Sequence, residues 1–198
     1  LRLDNFTNFS HHLLTNQLVR YGYNLFYNIQ HIIITRDRGK ELLACLNSLK
    51  NKKGPPFETI VVDNGSNHPI KDVLFNEKIL IVECPIPFTP SEGRNIGASH
   101  ARADLLIFLD DDALAEPGFI ESAVLAFEDH PFLGIRGRIL PKSPQTDHSL
   151  AGVYDLGNYP LPAILDIEGN MAVPKKMYHA VRGMNPLLFG AEGLEFMT

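Results

Sequence analysis

From residue 31 onward, short fully apolar runs alternate with longer stretches in which apolar residues recur at helical spacing. Ile32-Ile33-Ile34 is the first such run, and it ends in the polar cluster Thr35-Arg36-Asp37-Arg38-Gly39. A run this short and apolar on both faces reads as a buried parallel strand followed by a loop. Leu42, Leu43, Leu46 and Leu49 then predict an amphipathic helix over 39–50. Gly54-Pro55-Pro56 breaks the chain. Thr59-Ile60-Val61-Val62 predicts a second strand, ending at the turn signal Asp63-Asn64-Gly65-Ser66. Ile79-Leu80-Ile81-Val82 predicts a third. Thr89-Pro90-Ser91-Glu92 has the order of a helix start, with a capping Thr, a Pro in the first turn and a Glu to complete a capping box. That helix is expected to run to about Ala103. Leu105 to Leu109 predicts a fourth strand, which runs directly into Asp110-Asp111-Asp112. Pro117 opens another helix, with Phe119, Ala123 and Phe127 on one face. Gly134 to Ile139 reads as a fifth strand, 141–170 as a loop over the sheet edge, and Lys175 to Val181 as weakly helical. In the aromatic residues 1–30 periodicity is weak. Tyr21 to Ile29 reads as an edge strand, and the segment as an N-terminal extension packed on the domain.

Strands alternating with helices imply a mostly parallel sheet covered on both faces, a three-layer α/β sandwich. A length of 198 residues fits one such domain, over 31–198, after the extension. Ligands of these sheets bind beyond the carboxyl ends of the strands. The clusters Thr35 to Arg38, Asp63 to Ser66 and Asp110 to Asp112 all fall at such ends, so they are expected to line one crevice.

Composition narrows the function classes. With 44% hydrophobic and 21% charged residues, the chain is neither disordered nor a coiled coil. It carries 18 Lys and Arg against 23 Asp and Glu, a formal net charge of −5. That balance argues against a nucleic-acid partner, because neutralising a phosphate backbone needs the opposite sign. A single bound anion is still compatible with it. Cys45 and Cys84 lack Cys or His neighbours at metal-ligand spacing and read as reduced thiols. No apolar run approaches the roughly 18–20 residues of a membrane span, so no transmembrane segment is expected. Residues 1–10 lack the basic start and apolar core of a secretory signal. Both points suggest a cytoplasmic protein.

Three adjacent aspartates beyond a buried strand repel one another unless a cation balances them. Their oxygens suit a hard divalent ion, and strand alternation is expected to point Asp110 and Asp112 the same way. The alternative is a solvated turn in which Asp112 or Glu116 caps the following helix. Asp63 is placed to accept a hydrogen bond from a base edge or ribose, or else to bond amides of its own turn. Arg94 and Asn95 lie in the first turns of the capped helix and are expected to bind the donor. Arg94 is placed either to meet a diphosphate or to hold one of the aspartates. Neither a dinucleotide glycine fingerprint, nor a P-loop, nor a nucleophile elbow occurs in the sequence. Of the eight histidines, His148 and His179 are weak candidates for a metal contact.

Taken together, Ile60-Val61-Val62-Asp63-Asn64-Gly65-Ser66, Gly93-Arg94-Asn95-Ile96-Gly97-Ala98 and Phe108-Leu109-Asp110-Asp111-Asp112 resemble the family 2 glycosyltransferases. Their order and spacing match over roughly residues 31–140. The resemblance implies the Rossmann-like GT-A fold, a nucleotide-diphospho-sugar donor (UDP-sugars being the most frequent in the family), Mn2+ or Mg2+, and inversion at the anomeric carbon. It implies nucleotide contacts from Thr35 and Asp37, a base contact from Asp63, and ribose and metal contacts from Asp110, Asp111 and Asp112. Asp110 and Asp112 are the metal ligands on this reading. Gly169-Asn170-Met171-Ala172 resembles the stretch that lines the sugar site, which adds Asn170. Phe189 to Glu195 resembles the segment that carries the acceptor site and the catalytic base, which makes Glu192 or Glu195 the base. Residues 31–140 would then bind the nucleotide, and 141–198 would form part of the sugar and acceptor half. The acceptor would be a saccharide or a lipid-linked glycan, as in polysaccharide or glycoconjugate synthesis. A lipid-linked acceptor would bring the protein to the inner face of the membrane.

The sequence departs from the family in two places. Its first strand ends in Ile-Thr-Arg-Asp rather than Pro-Thr, an aromatic and Asn. Gly193 stands where the family often has its catalytic Asp. The ending at Thr198, soon after that motif, reads as a fragment or a compact variant. A degenerate domain that binds nucleotide-sugar without transfer is therefore a second reading. A nucleotidyltransferase is a third, disfavoured because Thr35 to Gly39 supplies only one glycine.

Overall fold

The computed structural model describes residues 2–3, 28–50, 54–74, 78–129, 134–142, 155, 157 and 169–187. Its elements in chain order are β1 (Arg2–Leu3), β2 (Ile29–Thr35), α1 (Gly39–Leu49), β3 (Phe57–Asp63), β4 (Ile79–Glu83), α2 (Pro90–His100), β5 (Leu105–Asp110), β6 (Leu114–Ala115), α3 (Phe119–Asp129), β7 (Ile135–Arg136), β8 (Ile139–Leu140), β9 (Asn170–Pro174) and α4 (Lys175–Ala180).

One sheet has the strand order β4-β3-β2-β5-β9-β7. The strands from β4 to β5 run parallel. β9 then runs antiparallel to β5, and β7 antiparallel to β9. The short β1 bridges β6 and β8 in a second, three-stranded sheet. Thus the two described N-terminal residues are tied to the segment that follows the aspartates.

The apolar runs are continuous because the main sheet is covered on both faces. Ile29, Ile33, Val61, Leu105, Ile107 and Leu109 pack on one face with Leu42, Cys45, Leu46 and Leu49 of α1 and Phe119, Ala123 and Phe127 of α3. Ile32, Ile60, Val62, Leu106, Phe108, Met171 and Val173 pack on the other with Ala98 of α2 and Tyr178 of α4. The alternation along each strand sorts these side chains between two cores, giving the expected three layers. Cys45 and Cys84 are free thiols. Among the described residues no helix is long and apolar enough to cross a membrane.

α2 lies unusually close to the sheet, and its glycines are the reason. A Cβ on Gly97 would stand 2.4 Å from Ile32 Cγ2, and one on Gly93 would stand 3.1 Å from Ile34 Cγ2. Being four residues apart, both glycines fall on the buried face of the helix. The capping box forms as its sequence predicts: Thr89 accepts from the Glu92 amide, and the Glu92 side chain accepts from the Thr89 amide.

Four expectations about elements are corrected. α2 ends at His100, with Ala101 already extended, rather than near Ala103. Ile29 opens an interior strand paired on both sides, with Phe57 and Leu105, and does not close an edge strand; 21–27 lie outside the described residues. The expected strand over Gly134 to Ile139 is broken at Gly137-Arg138 into β7 and β8, which serve different sheets. The expected edge loop over 141–170 lies largely outside the described residues, but its end, from Asn170, is already strand β9 inside the main sheet.

Candidate active site

The three polar clusters do converge. Parallel register sets Thr35 beside Asp63 and Ile34 beside Asp110, so the carboxyl ends of β2, β3 and β5 finish level. Beyond them opens a cavity of about 300 Å³, lined by Ile34, Thr35, Arg36, Arg38, Asn64, Pro90, Arg94 and the three aspartates. Strand β5 stops at Asp110, so Asp111 and Asp112 stand on a turn rather than in strict alternation.

Each aspartate is held differently. Asp111 is buried; its Oδ2 accepts from the Thr35 hydroxyl at 2.7 Å, and its Oδ1 meets Arg38 Nη1 at 3.0 Å. Burial pushes its carboxyl above the usual range, opposed by the Thr35 hydrogen bond and the Arg38 charge. Asp112 receives Arg38 Nη2 at 2.9 Å. Asp110 receives Arg94 Nη2 at 3.0 Å. Of the two arrangements open to Arg94, this structure shows the one in which it holds an aspartate. The side chains of Asp110 and Asp112 are 44% and 40% exposed, against 6% for Asp111. The cavity thus has three carboxylates and three guanidiniums, and Arg36 makes no ion pair among the described residues.

Helix α1 braces the aspartate turn from beneath. The Cys45 thiol donates to the Asp110 carbonyl at 3.6 Å, at the entry to the turn. The Ala115 amide donates to Ser48 Oγ at 2.9 Å, at its exit. The Ser48 hydroxyl donates in turn to the Cys45 carbonyl at 2.6 Å. Burial, with the aspartate charges beside it, pushes the Cys45 thiol up to about 12, so it is a donor and not a thiolate.

Four of the expected contact residues, Asp63, Asp37, Asn95 and Asn170, do not line the cavity. Asp63 is buried, and its two oxygens accept from the Ser66 and Ile70 amides at 3.1 and 2.8 Å. Of the two arrangements open to Asp63, this structure shows the one in which it bonds amides of its own turn, and that turn presents Asn64 to the cavity. Gly65 completes that turn at φ +71°, where an added Cβ would strike the backbone of Ile86 and Pro87 at 2.7 Å. Asp37, with φ +54°, accepts from the amide and side chain of Asn67 and so ties the first loop to the second. Asn95 accepts from the Tyr178 hydroxyl and the Met184 amide and donates to the Met184 carbonyl, which pins the chain after α4 to α2. These three organise the loops around the site. Asn170 is fully buried at the start of β9, and its Oδ1 has no hydrogen-bond partner. Glu192, Glu195, Gly193 and His148 lie outside the described residues, and His179 is exposed on α4.

Four residues that shape the site had no role assigned from sequence: Arg36, Arg38, Ser48 and Gly169. Arg38 carried a signal, since it closes the polar cluster that begins at Thr35. Gly169 carried one as well, as the first residue of the stretch that resembles the sugar-site lining, but its approach to Asp110 is visible only in three dimensions. Its carbonyl accepts from the Asp110 amide, and a Cβ there would fall 1.9 Å from Asp110 Oδ2.

Comparison with known proteins agrees with this geometry. A family model described as "Glycosyl transferase family 2" matches residues 31–184. The chain belongs to this family. Among curated relatives, an uncharacterized glycosyltransferase of Haemophilus influenzae is 23% identical over 184 residues, covering 84% of this chain and 59% of that protein. Validoxylamine A glucosyltransferase of Streptomyces hygroscopicus subsp. limoneus is 31% identical over 102 residues, 48% of this chain and 22% of that one. Among solved structures, S. aureus TarS 1–349 in complex with UDP-GlcNAc superposes with a TM-score of 0.64 at 18% identity, over 85% of this chain and 52% of TarS. The mannosyltransferase PcManGT of Pyrobaculum calidifontis, in complex with GDP-Man and Mn2+, gives 0.64 at 15% identity, over 87% and 52%. These likenesses establish the GT-A fold of the family 2 chain. The chain spans about half the length of these structures and 59% of the Haemophilus relative.

The aspartates of this family 2 chain suit a divalent cation in chemistry and in exposure. Asp110 and Asp112 offer hard carboxylate oxygens at the cavity, while buried Asp111 is occupied by Thr35 and Arg38. Among the described residues no group of three or more His, Cys, Asp or Glu side chains is arranged to hold an ion. Two carboxylates leave several positions of an ion to phosphate oxygens and water, which is the usual way Mg2+ is held at phosphate sites.

Proposed function

We propose that the chain is the catalytic domain, or a large part of it, of a metal-dependent inverting glycosyltransferase. It transfers a sugar from a nucleotide-diphosphate donor, UDP-sugar first, to an acceptor hydroxyl. The observation that carries this reading is the convergence of three aspartates and three arginines on one cavity at the carboxyl ends of parallel strands. Complexes of related folds with UDP, UDP-GlcNAc and GDP-Man support it.

In this reading residues 31–140 bind the nucleotide, 141–198 contribute to the sugar and acceptor half, and 1–30 form an extension. Asp110 and Asp112 hold Mn2+ or Mg2+, which neutralises charge developing on the leaving diphosphate. Arg36, free of ion pairs among the described residues, faces the diphosphate from the first loop. Thr35 fixes Asp111 and Arg94 fixes Asp110, while Asp37, Asp63 and Asn95 act through the loops they hold. Asn170, buried with an unpaired oxygen one residue from Gly169, orients groups at the sugar end.

Glu192 takes the acceptor proton as general base, with Glu195 as the alternative. The acceptor oxygen bonds to the anomeric carbon as the bond to the diphosphate oxygen breaks, so the nucleoside diphosphate leaves and the configuration inverts. The acceptor is a saccharide or a lipid-linked glycan, and the protein works in the cytoplasm or at the inner membrane face. Incubating UDP- and GDP-sugars with Mn2+ and a panel of such acceptors tests the proposal through release of nucleoside diphosphate. Glu192→Gln is expected to abolish release and spare donor binding. Unchanged release by that variant removes Glu192 from the base role. Gly193, where the family often has its Asp, favours one second reading, a domain that binds donor without transferring it. Acceptor-dependent turnover excludes that reading.

A further inference from the structure

We propose that Arg38 is a resident counter-ion that couples metal to donor. It neutralises Asp111 and Asp112 while they carry no cation, and it turns to the donor diphosphate when a divalent cation takes its place. This rests on the function proposed above. One guanidinium reaches two neighbouring carboxylates here, Asp111 at 3.0 Å and Asp112 at 2.9 Å. Such bridging is what a compact charge of the same sign would replace, and two cations cannot share one carboxylate oxygen without repulsion.

The two paired arginines of the cavity differ in exposure. The Arg94 side chain is 9% exposed beneath α2, whereas that of Arg38 is 46% exposed just ahead of Gly39, at the start of α1. An exposed arginine gives up an ion pair at small cost, and a buried one does not. Asp112, the partner to be surrendered, is itself 40% exposed. Once released, Arg38 is still on the cavity wall beside Arg36.

Mn2+ alone must break the Arg38 ion pair to take Asp112 Oδ2, the oxygen that Arg38 holds. Mn2+ arriving with a nucleoside diphosphate breaks one pair and makes another. Metal and donor should consequently strengthen each other's binding by the same factor, as linkage requires.

The test is a titration of Mn2+ alone, read as loss of the free-ion signal in electron paramagnetic resonance. It is repeated with saturating UDP and with saturating GDP, on the wild type, Arg38→Gln and Arg38→Lys. Far-UV circular dichroism and thermal midpoints establish that each variant is folded. Arg38→Gln is expected to bind Mn2+ alone about twofold to fivefold more tightly than wild type. Its coupling factor between Mn2+ and nucleotide should fall correspondingly. Arg38→Lys, which keeps the charge but lacks the planar fork that spans Asp111 and Asp112, should fall between, and it carries the test if the glutamine variant does not fold. Equal or weaker Mn2+ binding by the variants, with wild-type coupling retained, overturns the proposal and makes Arg38 a fixed brace of the turn. A wild type that binds neither nucleotide in any condition overturns the donor reading, and this inference falls with it. A wild type that binds nucleotide but no Mn2+ overturns this inference alone.

Discussion

Replacing His31 by leucine should make the protein markedly less sensitive to acid. His31 lies in the middle of β2, the strand that delivers Thr35 to the site, and is paired in register with Thr59 and Ile107. Its side chain is fully buried, edge-on to Phe57 at 4.5 Å, and neither ring nitrogen has a hydrogen-bond partner. Burial with nothing to receive a proton lowers its pKa from 6.5 to about 3. A depressed folded-state pKa means that stability is intact above the unfolded value and is lost as pH falls towards the folded one. At pH 5 the unfolded chain has gained this proton and the folded chain has not. At 1.36 kcal/mol per pH unit over about 1.5 units, the loss is about 2 kcal/mol, and it reaches about 4 kcal/mol near pH 3. A leucine removes that dependence. It also removes two unsatisfied polar atoms, worth on the order of 1–3 kcal/mol, partly offset by imperfect fit against Phe57. Urea unfolding of both proteins at pH 7.5 and pH 5.0 measures the effect. The difference in unfolding free energy between variant and wild type should shift by about 2 kcal/mol in the variant's favour at the lower pH. Equal losses in both proteins would refute the reasoning, because His31 would then exchange its proton as freely folded as unfolded.

Three further substitutions probe the frame of the site. Gly97→Ala drives a Cβ to 2.4 Å from Ile32 and should lower stability by about 1–3 kcal/mol in denaturant unfolding, despite alanine's better helix propensity. Gly169→Ala puts a Cβ 1.9 Å from the Asp110 carboxylate, so it should weaken metal-dependent nucleotide binding at least tenfold while moving the melting midpoint little. Calorimetry and a thermal melt on the same sample separate the two effects. Thr35→Val takes the 2.7 Å hydrogen bond from buried Asp111 and should cost about 1–3 kcal/mol of stability at neutral pH. That loss should shrink in acid as the carboxyl takes up a proton, which urea unfolding across the pH range follows.

Much of the site could be read along the chain because its parts are local. Thr35 and Asp110 are strand-end residues, with Asp112 on the turn just beyond, and parallel strands of similar length bring their ends level without further information. The capping box of α2 could be read for the same reason, since all its atoms lie within four residues. What could not be read is which partner each polar group takes. Arg38 and Asp112 are 74 positions apart, and only the pairing of β2 with β5 brings their elements together. Asp63 had two chemically sound partners, a ligand or its own turn, and only the fold shows the amides of Ser66 and Ile70 in place.

Strand β9 escaped notice because Asn170-Met171-Ala172-Val173-Pro174 is short, carries little β propensity and begins and ends in turn residues. It is a strand because β5 offers it an edge and both faces are covered. The break between β7 and β8 has a similarly remote cause. The Gly137 amide donates to the Asn170 carbonyl, and a side chain at 137 would meet the Asn170 amide group at 2.6 Å.

The most direct test of the account is a calorimetric titration of UDP and of GDP, with and without Mn2+, into wild type and Asp112→Ala. One nucleotide should bind the wild type, Mn2+ should strengthen that binding at least tenfold, and Asp112→Ala should abolish the metal effect. Binding that ignores both Mn2+ and the substitution, or no binding of either nucleotide to the folded wild type, would contradict it.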